Sequence, residues 1–203
     1  MRQERNFFLA LLKEIKMNNP FTHSEILDIV SGVLASVLGL TTNEIDENSA
    51  IADDLGADSL DFVELNATLE KRLNLSLPKK SVLEQAGKIS GQLDLFHNKQ
   101  GLTAEGVALL KDSLSQYAQL NTGMTVHDIF NVTTVKNVAN LCHGLFNYLP
   151  ISCPECGHQE ATLSAAGKAV CGSCSAALRP RHGDEAQAMS TAQYLEEKSL
   201  KAE

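Results

Sequence analysis

Four cysteines dictate the local shape of one stretch of this chain before any helix is considered. Cys153-Pro154-Glu155-Cys156 and Cys171-Gly172-Ser173-Cys174 are two C-x2-C pairs with 14 residues between them. Two residues between thiolates let both sulfurs face one ion from a tight turn, and Gly157 eases the first turn. Two such turns build a closed tetrahedral site of four thiolates, as in zinc ribbons. The same spacing could serve two disulfides, a redox pair or an iron–sulfur site. Disulfides belong to oxidising compartments, and the chain's start does not resemble a secretory leader. Its apolar stretch, Phe7 to Leu12, is short, and Lys13, Glu14 and Lys16 follow at once. A cytoplasmic protein with a structural zinc on Cys153, Cys156, Cys171 and Cys174 is therefore expected. About thirty residues with few apolar groups cannot build a core, so the metal supplies the folding energy. On this reading residues 151–182 unfold without the ion, and the rest of the chain keeps its helicity. His158 and His182 are spare ligand candidates that read better as surface histidines.

The rest of the sequence has helical periodicity. Residues 1–20 read as an amphipathic N-terminal helix. Thr22 and Glu25 form a capping box, after which Ile26, Val30, Val33, Leu34 and Val37 recur on one face. A loop follows from about Thr41 to Asp58, with Ile45, Ile51 and Leu55 as inward anchors. Asp58 can cap the next helix, whose period is set by Leu60, Val63, Ala67 and Leu69 or Thr68, with Leu60 and Val63 expected to face inward, and Leu77-Pro78 ends that unit. Residues 79–124 read as a helical hairpin. Ser81 and Glu84 suggest another capping box, Val82, Ala86, Ile89, Leu93 and Phe96 one stripe, and Val107, Leu110, Leu114 and Tyr117 a second. Thr125 and Asp128 open a very short helix, and Thr133 or Thr134 opens the last one before Pro150, with Val135, Val138, Leu141 and Leu145 inward. Cys142 reads as a small core residue. Residues 183–203 read as a polar tail, a frayed helix or disordered. No apolar run approaches the ~20 residues of a membrane span.

Charge is concentrated. The net charge is −8, yet residues 22–78 alone hold 11 Asp and Glu against Lys71 and Arg72, a balance of −9. Such a segment repels nucleic acid and anionic membranes and suits basic protein partners. A solvated acidic face is the plainer alternative. The cysteine module carries Lys168, Arg179 and Arg181 against Glu155 and Glu160, too weakly basic to suggest nucleic acid.

The acidic segment contains Ile51-Ala52-Asp53-Asp54-Leu55-Gly56-Ala57-Asp58-Ser59-Leu60-Asp61-Phe62-Val63-Glu64-Leu65. This run closely resembles the modification site of acyl carrier proteins from dissociated fatty acid and polyketide pathways. The resemblance covers residues 22–78 and resumes at about 125–146, where Asn131-Val132-Thr133-Thr134-Val135 matches the start of the family's last helix. It implies a small helical bundle over 21–150 and a 4′-phosphopantetheine arm on Ser59, attached by a phosphopantetheinyl transferase. It implies a monomeric, non-enzymatic carrier that holds acyl groups as thioesters, with Asp58, Asp61 and Glu64 docking acyl-processing enzymes through basic surfaces. Asp rather than His before Ser59 favours acyl over aminoacyl cargo. The chain departs from the family at Asn66 and at Lys71-Arg72, the latter fitting a helix C-terminus.

The fold expected is thus mainly α: an acyl-carrier-like bundle with an inserted hairpin at 79–124, plus a zinc-ribbon-like module. The insert could roof the acyl cleft or pack only on itself. A second function reading is a zinc-dependent adaptor that keeps the carrier fold without the arm. A nucleic-acid-binding ribbon conflicts with the acidic segment.

Overall fold

The structure, a computed structural model, describes residues 17–201. The helix expected over 1–20 lies outside them, apart from its last four residues, which are not helical. Three of the helices form the body of a bundle. Helix α1 (His23–Leu38) starts at the Thr22/Glu25 capping box and stops at Gly39, which takes a left-handed conformation. Helix α2 (Ser59–Leu73) packs on α1, and α1 also packs along the later helix α6 (Val135–Leu145). Ile26, Val30 and Leu34 of α1, Leu65, Leu69 and Leu73 of α2, and Val135, Ala139, Cys142 and Leu145 of α6 are all fully buried. Ile51 joins them from the loop. Phe21 packs on Phe146 at 4.6 Å between ring centroids.

The inward face of α2 differs from expectation. Leu60 and Val63 are 74% and 66% exposed. At ~100° per residue Val63 lies ~160° from Leu65, and the run Leu65, Leu69, Leu73 decides which side meets α1. The wide apolar stripe expected for this helix is two stripes, one buried and one facing solvent.

The insert is built from α3 (Val82–Ser90), a two-stranded hairpin of β1 (His97–Asn98) and β2 (Gly101–Leu102), and α4 (Ala104–Asp112). It is therefore helical with a β-turn at its tip. Both helices are shorter than the stripes suggested. Gly91 ends α3 in a left-handed conformation, which leaves Ile89 and Leu93 exposed. Leu114 and Tyr117 follow the end of α4 in a loop. Ser81 caps α3 without a side-chain bond, and the Glu84 side chain pairs with Lys88 at 2.6 Å rather than with the cap. Leu83, Ala86, Phe96, Leu102, Leu109, Leu110 and Leu120 form a second core, separate from that of the bundle. The short α5 (Val126–Asn131) opens with the expected Thr125/Asp128 box and leads back to α6.

The expected polar tail is a helix, α7 (Gly183–Lys201), lying along α3. Its docking is mixed: Ala186 is fully buried, and Tyr194 and Leu195 pack on the insert's core, but these few apolar residues are scattered among polar ones, which hid the helix from a hydrophobic reading. Asp184 Oδ1 accepts from Lys79 N at 2.8 Å and Lys80 N at 2.9 Å. Gln187 Nε2 donates to Lys80 O at 2.9 Å and Gln85 Oε1 at 3.1 Å. A Cβ at Gly183 would overlap the Leu77–Pro78 backbone, so only glycine lets the helix start pass there.

The cysteine module carries β3 (Ala161–Leu163) and β4 (Ala169–Cys171), paired antiparallel with Ala161 opposite Cys171. It shares a core with the bundle. Cys153, Ala161, Ala169, Cys171 and Leu178 belong to one hydrophobic cluster with Leu75, Leu77, Leu145, Tyr148 and Leu149. Asn18 pairs with Ala161 through two 2.9 Å bonds, Nδ2 to the carbonyl and the amide to Oδ1. Arg179 donates to Leu75 O at 3.3 Å and the Arg181 amide to Tyr148 O at 3.0 Å. Arg72, read from sequence as a dipole partner, donates to Ala166 O at 3.0 Å and ties α2 to the module. Among the described residues no helix is long and apolar enough to cross a membrane.

Candidate functional site

Ser59 is the first residue of α2 and is exposed. Asp58, in extended backbone, caps the helix: its Oδ1 accepts from Leu60 N at 2.7 Å and Asp61 N at 3.1 Å. Asp61 answers by accepting from the Asp58 amide at 2.8 Å. The two acids thus close a reciprocal box around Ser59, a task that sequence reading assigned only to Asp58. An oxygen on Ser59 sits at the positive end of a four-turn helix dipole, where an anionic substituent is favoured.

The loop before Ser59 is held from behind. Ile51 N donates to Thr133 O at 2.9 Å, Val135 N to Ser49 O at 3.1 Å and Lys136 N to Glu47 O at 2.8 Å. Lys136 Nζ also pairs with Glu47 at 2.8 Å. The Asn131–Val135 run therefore braces the very loop that presents Ser59. Within that loop Asp54 accepts from the Ala50 amide at 2.8 Å, and the Ala57 amide reaches back to Ile51 O at 3.1 Å. Gly56 has φ +72° with open space where a Cβ would sit, so conformation alone demands glycine there.

Around Ser59 the surface of α2 is part apolar and part acidic. Leu60, Val63, Glu64 and Ala67 share its exposed side. On its flank Phe62 packs against Phe130 of α5 at 4.4 Å between centroids. That contact links the serine-bearing helix to α5. The exposed stripe was missed because leucine and valine at helical spacing read as core. The signal that could have found it is that Leu65, Leu69 and Leu73 already supply a complete inward face.

The four paired cysteines converge as expected. Their sulfurs all lie within 4.8 Å of one another. Cys153 Sγ is 3.7 Å from Cys174 Sγ, and Cys156 Sγ is 3.6 Å from Cys171 Sγ. A tetrahedron with metal–sulfur bonds of ~2.3 Å has edges of ~3.8 Å; these two edges match it, and the whole set is compact enough to close on one ion. A disulfide would need ~2.05 Å. The amides of Cys174 and Ser173 point at the Cys171 sulfur and draw its thiol down to about 6, while, against the Ala176 amide, the neighbouring Cys156, Cys153 and Cys171 push Cys174 up to about 12. The cluster therefore gives up its first proton at Cys171. Cys142 is the opposite case: complete burial in the bundle core pushes its thiol up to about 12.

A family model described as a phosphopantetheine attachment site matches residues 28–94. The chain is 34% identical over 88 residues to an acyl carrier protein of Cyanidioschyzon merolae, covering 43% of this chain and 96% of that protein. It is 36% identical over 78 residues to an acyl carrier protein of Chlorobium phaeovibrioides, covering 38% of this chain and 99% of the relative. An acyl carrier protein of Chlamydia caviae is 34% identical over 74 residues, or 36% of this chain and 95% of the relative. No solved structure matches.

Proposed function

Because the chain belongs to the acyl carrier protein family, we propose that Ser59 is its attachment point for 4′-phosphopantetheine and that the loaded protein shuttles acyl groups between biosynthetic enzymes. The observation that carries this is the presentation of Ser59: capped by Asp58 and Asp61, exposed, and seated in the stretch matched by the attachment-site model. In the modification, Ser59 Oγ bonds to the phosphate of coenzyme A that bears the pantetheine, the adenosine bisphosphate half leaves, and the hydroxyl proton passes to the transferase. The chain's own task is to hold the serine on a rigid helix start and to favour the resulting phosphodiester with the α2 dipole. The bound arm supplies a thiol on which acyl groups ride as thioesters.

The exposed Leu60, Val63 and Ala67, bordered by Glu64, form the docking face for these enzymes. Asp58 and Asp61 contribute through the order they impose on the helix start as much as through charge. Zinc on Cys153, Cys156, Cys171 and Cys174 has a structural role, since all four ligands are thiolates and two of them are buried in the shared core. Fatty acid, polyketide or specialised lipid synthesis is the setting we propose, with a monomeric cytoplasmic carrier as the working unit.

The test is intact mass. Incubated with coenzyme A and a broad-specificity phosphopantetheinyl transferase, the protein should gain one arm and the Ser59→Ala protein none. An unchanged mass across several transferases would refute the carrier reading in favour of an adaptor without an arm.

A further inference from the structure

The fold gathers bases at the end of α2 remote from Ser59. Residues 71–83 hold Lys71, Arg72, Lys79 and Lys80 and no acid, and residues 161–183 hold Lys168, Arg179 and Arg181 and no acid. All seven bases are exposed. The two segments interlock. Arg72 donates to Ala166 O at 3.0 Å, beside Gly167, and Arg179 donates to Leu75 O at 3.3 Å. The Val170–Ala177 bridge, continued by the bond from the Leu178 amide to Ala169 O, sets Lys168 opposite Arg179. Arg179 and Arg181 alternate with the buried Leu178 and Pro180, so both face outward. Lys79 and Lys80 come in where their amides meet Asp184. Glu160 stands at the cysteine end of the β3–β4 pair, next to Ala161 opposite Cys171, whereas Lys168 flanks the turn at the other end. By sequence alone the module is nearly neutral; the end of α2 makes one side of it basic.

Among the described residues none of the seven forms an ion pair. Glu84 and Asp184 feel Lys80 at longer range. The carboxylates closest in sequence are engaged by backbone amides, Glu70 by Leu77 N at 2.8 Å and Asp184 by Lys79 and Lys80. Each of the two guanidinium groups places one nitrogen on a carbonyl. That bond fixes the group and leaves its other N–H donors for an outside acceptor. A planar fork held in place suits a carboxylate.

Three observations select the partner. Neither segment contains Phe, Tyr or Trp on which a nucleic-acid base could stack. Neither contains an exposed large apolar residue with which a basic surface enters a bilayer. A second copy would offer its most acidic stretch, the loop and helix start that carry Asp53, Asp54, Asp58 and Asp61, and would cover its own Ser59 in doing so.

We propose that the end of α2, together with the outer side of the cysteine module, is a docking surface for an acidic segment of a partner protein. Ser59 and Arg72 lie 13 residues apart on α2, roughly 20 Å, or about two Debye lengths at physiological salt. The two ends therefore bind independently. The partner holds the protein by its basic end and leaves Ser59 free, and the interaction does not require Ser59 to be modified.

The experiment titrates the full chain with fluorescein-labelled oligoglutamate, read by anisotropy, and in parallel with a labelled single-stranded oligonucleotide and with phosphatidylserine vesicles. Oligoglutamate should bind best and weaken as salt rises. The double variant Lys168→Glu/Arg181→Glu, whose side chains bond nothing among the described residues, should lose roughly tenfold in affinity while accepting the arm from a transferase as wild type does. In wild type the amide signals of Arg72, Gly167, Lys168 and Arg179 should shift on titration and those of Ser59 and Leu60 should not, a readout that does not depend on the variant folding. Absent binding, equal affinity in the variant, or shifts centred on Ser59 would overturn the proposal. Tighter binding of the oligonucleotide or the vesicles, or self-association abolished by the variant, would overturn it in favour of those ligands. Failure of the arm to load would refute the carrier reading and leave this one standing.

Discussion

If the four cysteines hold zinc as proposed, removing it should destabilise the helical bundle as well as the cysteine module. Without an ion, four thiolates within 4.8 Å of one another repel, and β3 and β4 have little else to hold their turns. The bundle then loses whatever the module gave it. Leu178, 1% exposed, returns to water at a cost of ~1.5–3 kcal/mol. Five hydrogen bonds also cross the boundary: two at Asn18 and one each from Arg72, Arg179 and the Arg181 amide. At ~1 kcal/mol for four of them, and less for the exposed Arg72 bond, the total loss is about 6–8 kcal/mol. For a chain of this size that lowers the midpoint by roughly 12–30 °C. The assay is far-ultraviolet circular dichroism during heating, before and after a strong chelator, with metal content measured on both samples. Leu178→Ala with its metal retained should cost ~2–5 kcal/mol by itself. A chelated protein that melts within 2–3 °C of the metal-loaded one would refute the idea of a shared core.

The other predictions concern the serine-bearing helix and the buried thiol. Asp58→Ala should cost ~1 kcal/mol through the lost cap, and Asp58→Asn should restore most of it; a chemical denaturation series measures both. Leu60→Asp and Val63→Asp should leave stability within ~0.5 kcal/mol, as fits exposed sites, while slowing acyl transfer to a partner enzyme; equal loss of stability and transfer would mean they are core residues after all. Cys142, pushed up to about 12 by burial, should resist alkylation at pH 8 in the folded protein when the chelated module's cysteines react. Its folded value lies above its unfolded one, so its contribution to stability is intact below pH ~9 and declines as pH rises toward about 12, by at most ~1.4 kcal/mol per pH unit. Cys142→Ala should remove that part of the alkaline slope.

Much of the site was legible because it depends on local chemistry. The capping boxes at Thr22/Glu25 and Thr125/Asp128, the Asp58 cap and the spacing of the four cysteines involve partners a few residues apart or held by simple turns. They form as the spacing implies. What could not be read from sequence depends on distant partners. The Ser81/Glu84 pattern is the same motif as its neighbours, yet Glu84 pairs with Lys88 one turn later. The insert's stripes counted Ile89, Leu93 and Leu114 as continuing helices that Gly91 and Ser113 end.

The misread faces of α2 and α7 share a physical cause that bears on how this carrier works. Hydrophobic periodicity tells where a helix meets apolar surroundings, but not whether they are its own core or a passing partner. On α2, Leu60 and Val63 stand opposite the buried leucines and beside Ser59, so the protein keeps apolar surface exposed where a carrier must be gripped. On α7 the reverse holds. A helix with little apolar character buries Ala186 and lays Tyr194 and Leu195 on the insert's core, while Asp184 and Gln187 bond backbone groups and a glutamine at the start of α3. Its apolar residues are too scattered to register as a stripe, so the hydrogen bonds set the register in which they meet the insert. Such a helix docks only where its polar partners stand, which ties α7 to this insert rather than to apolar surface in general.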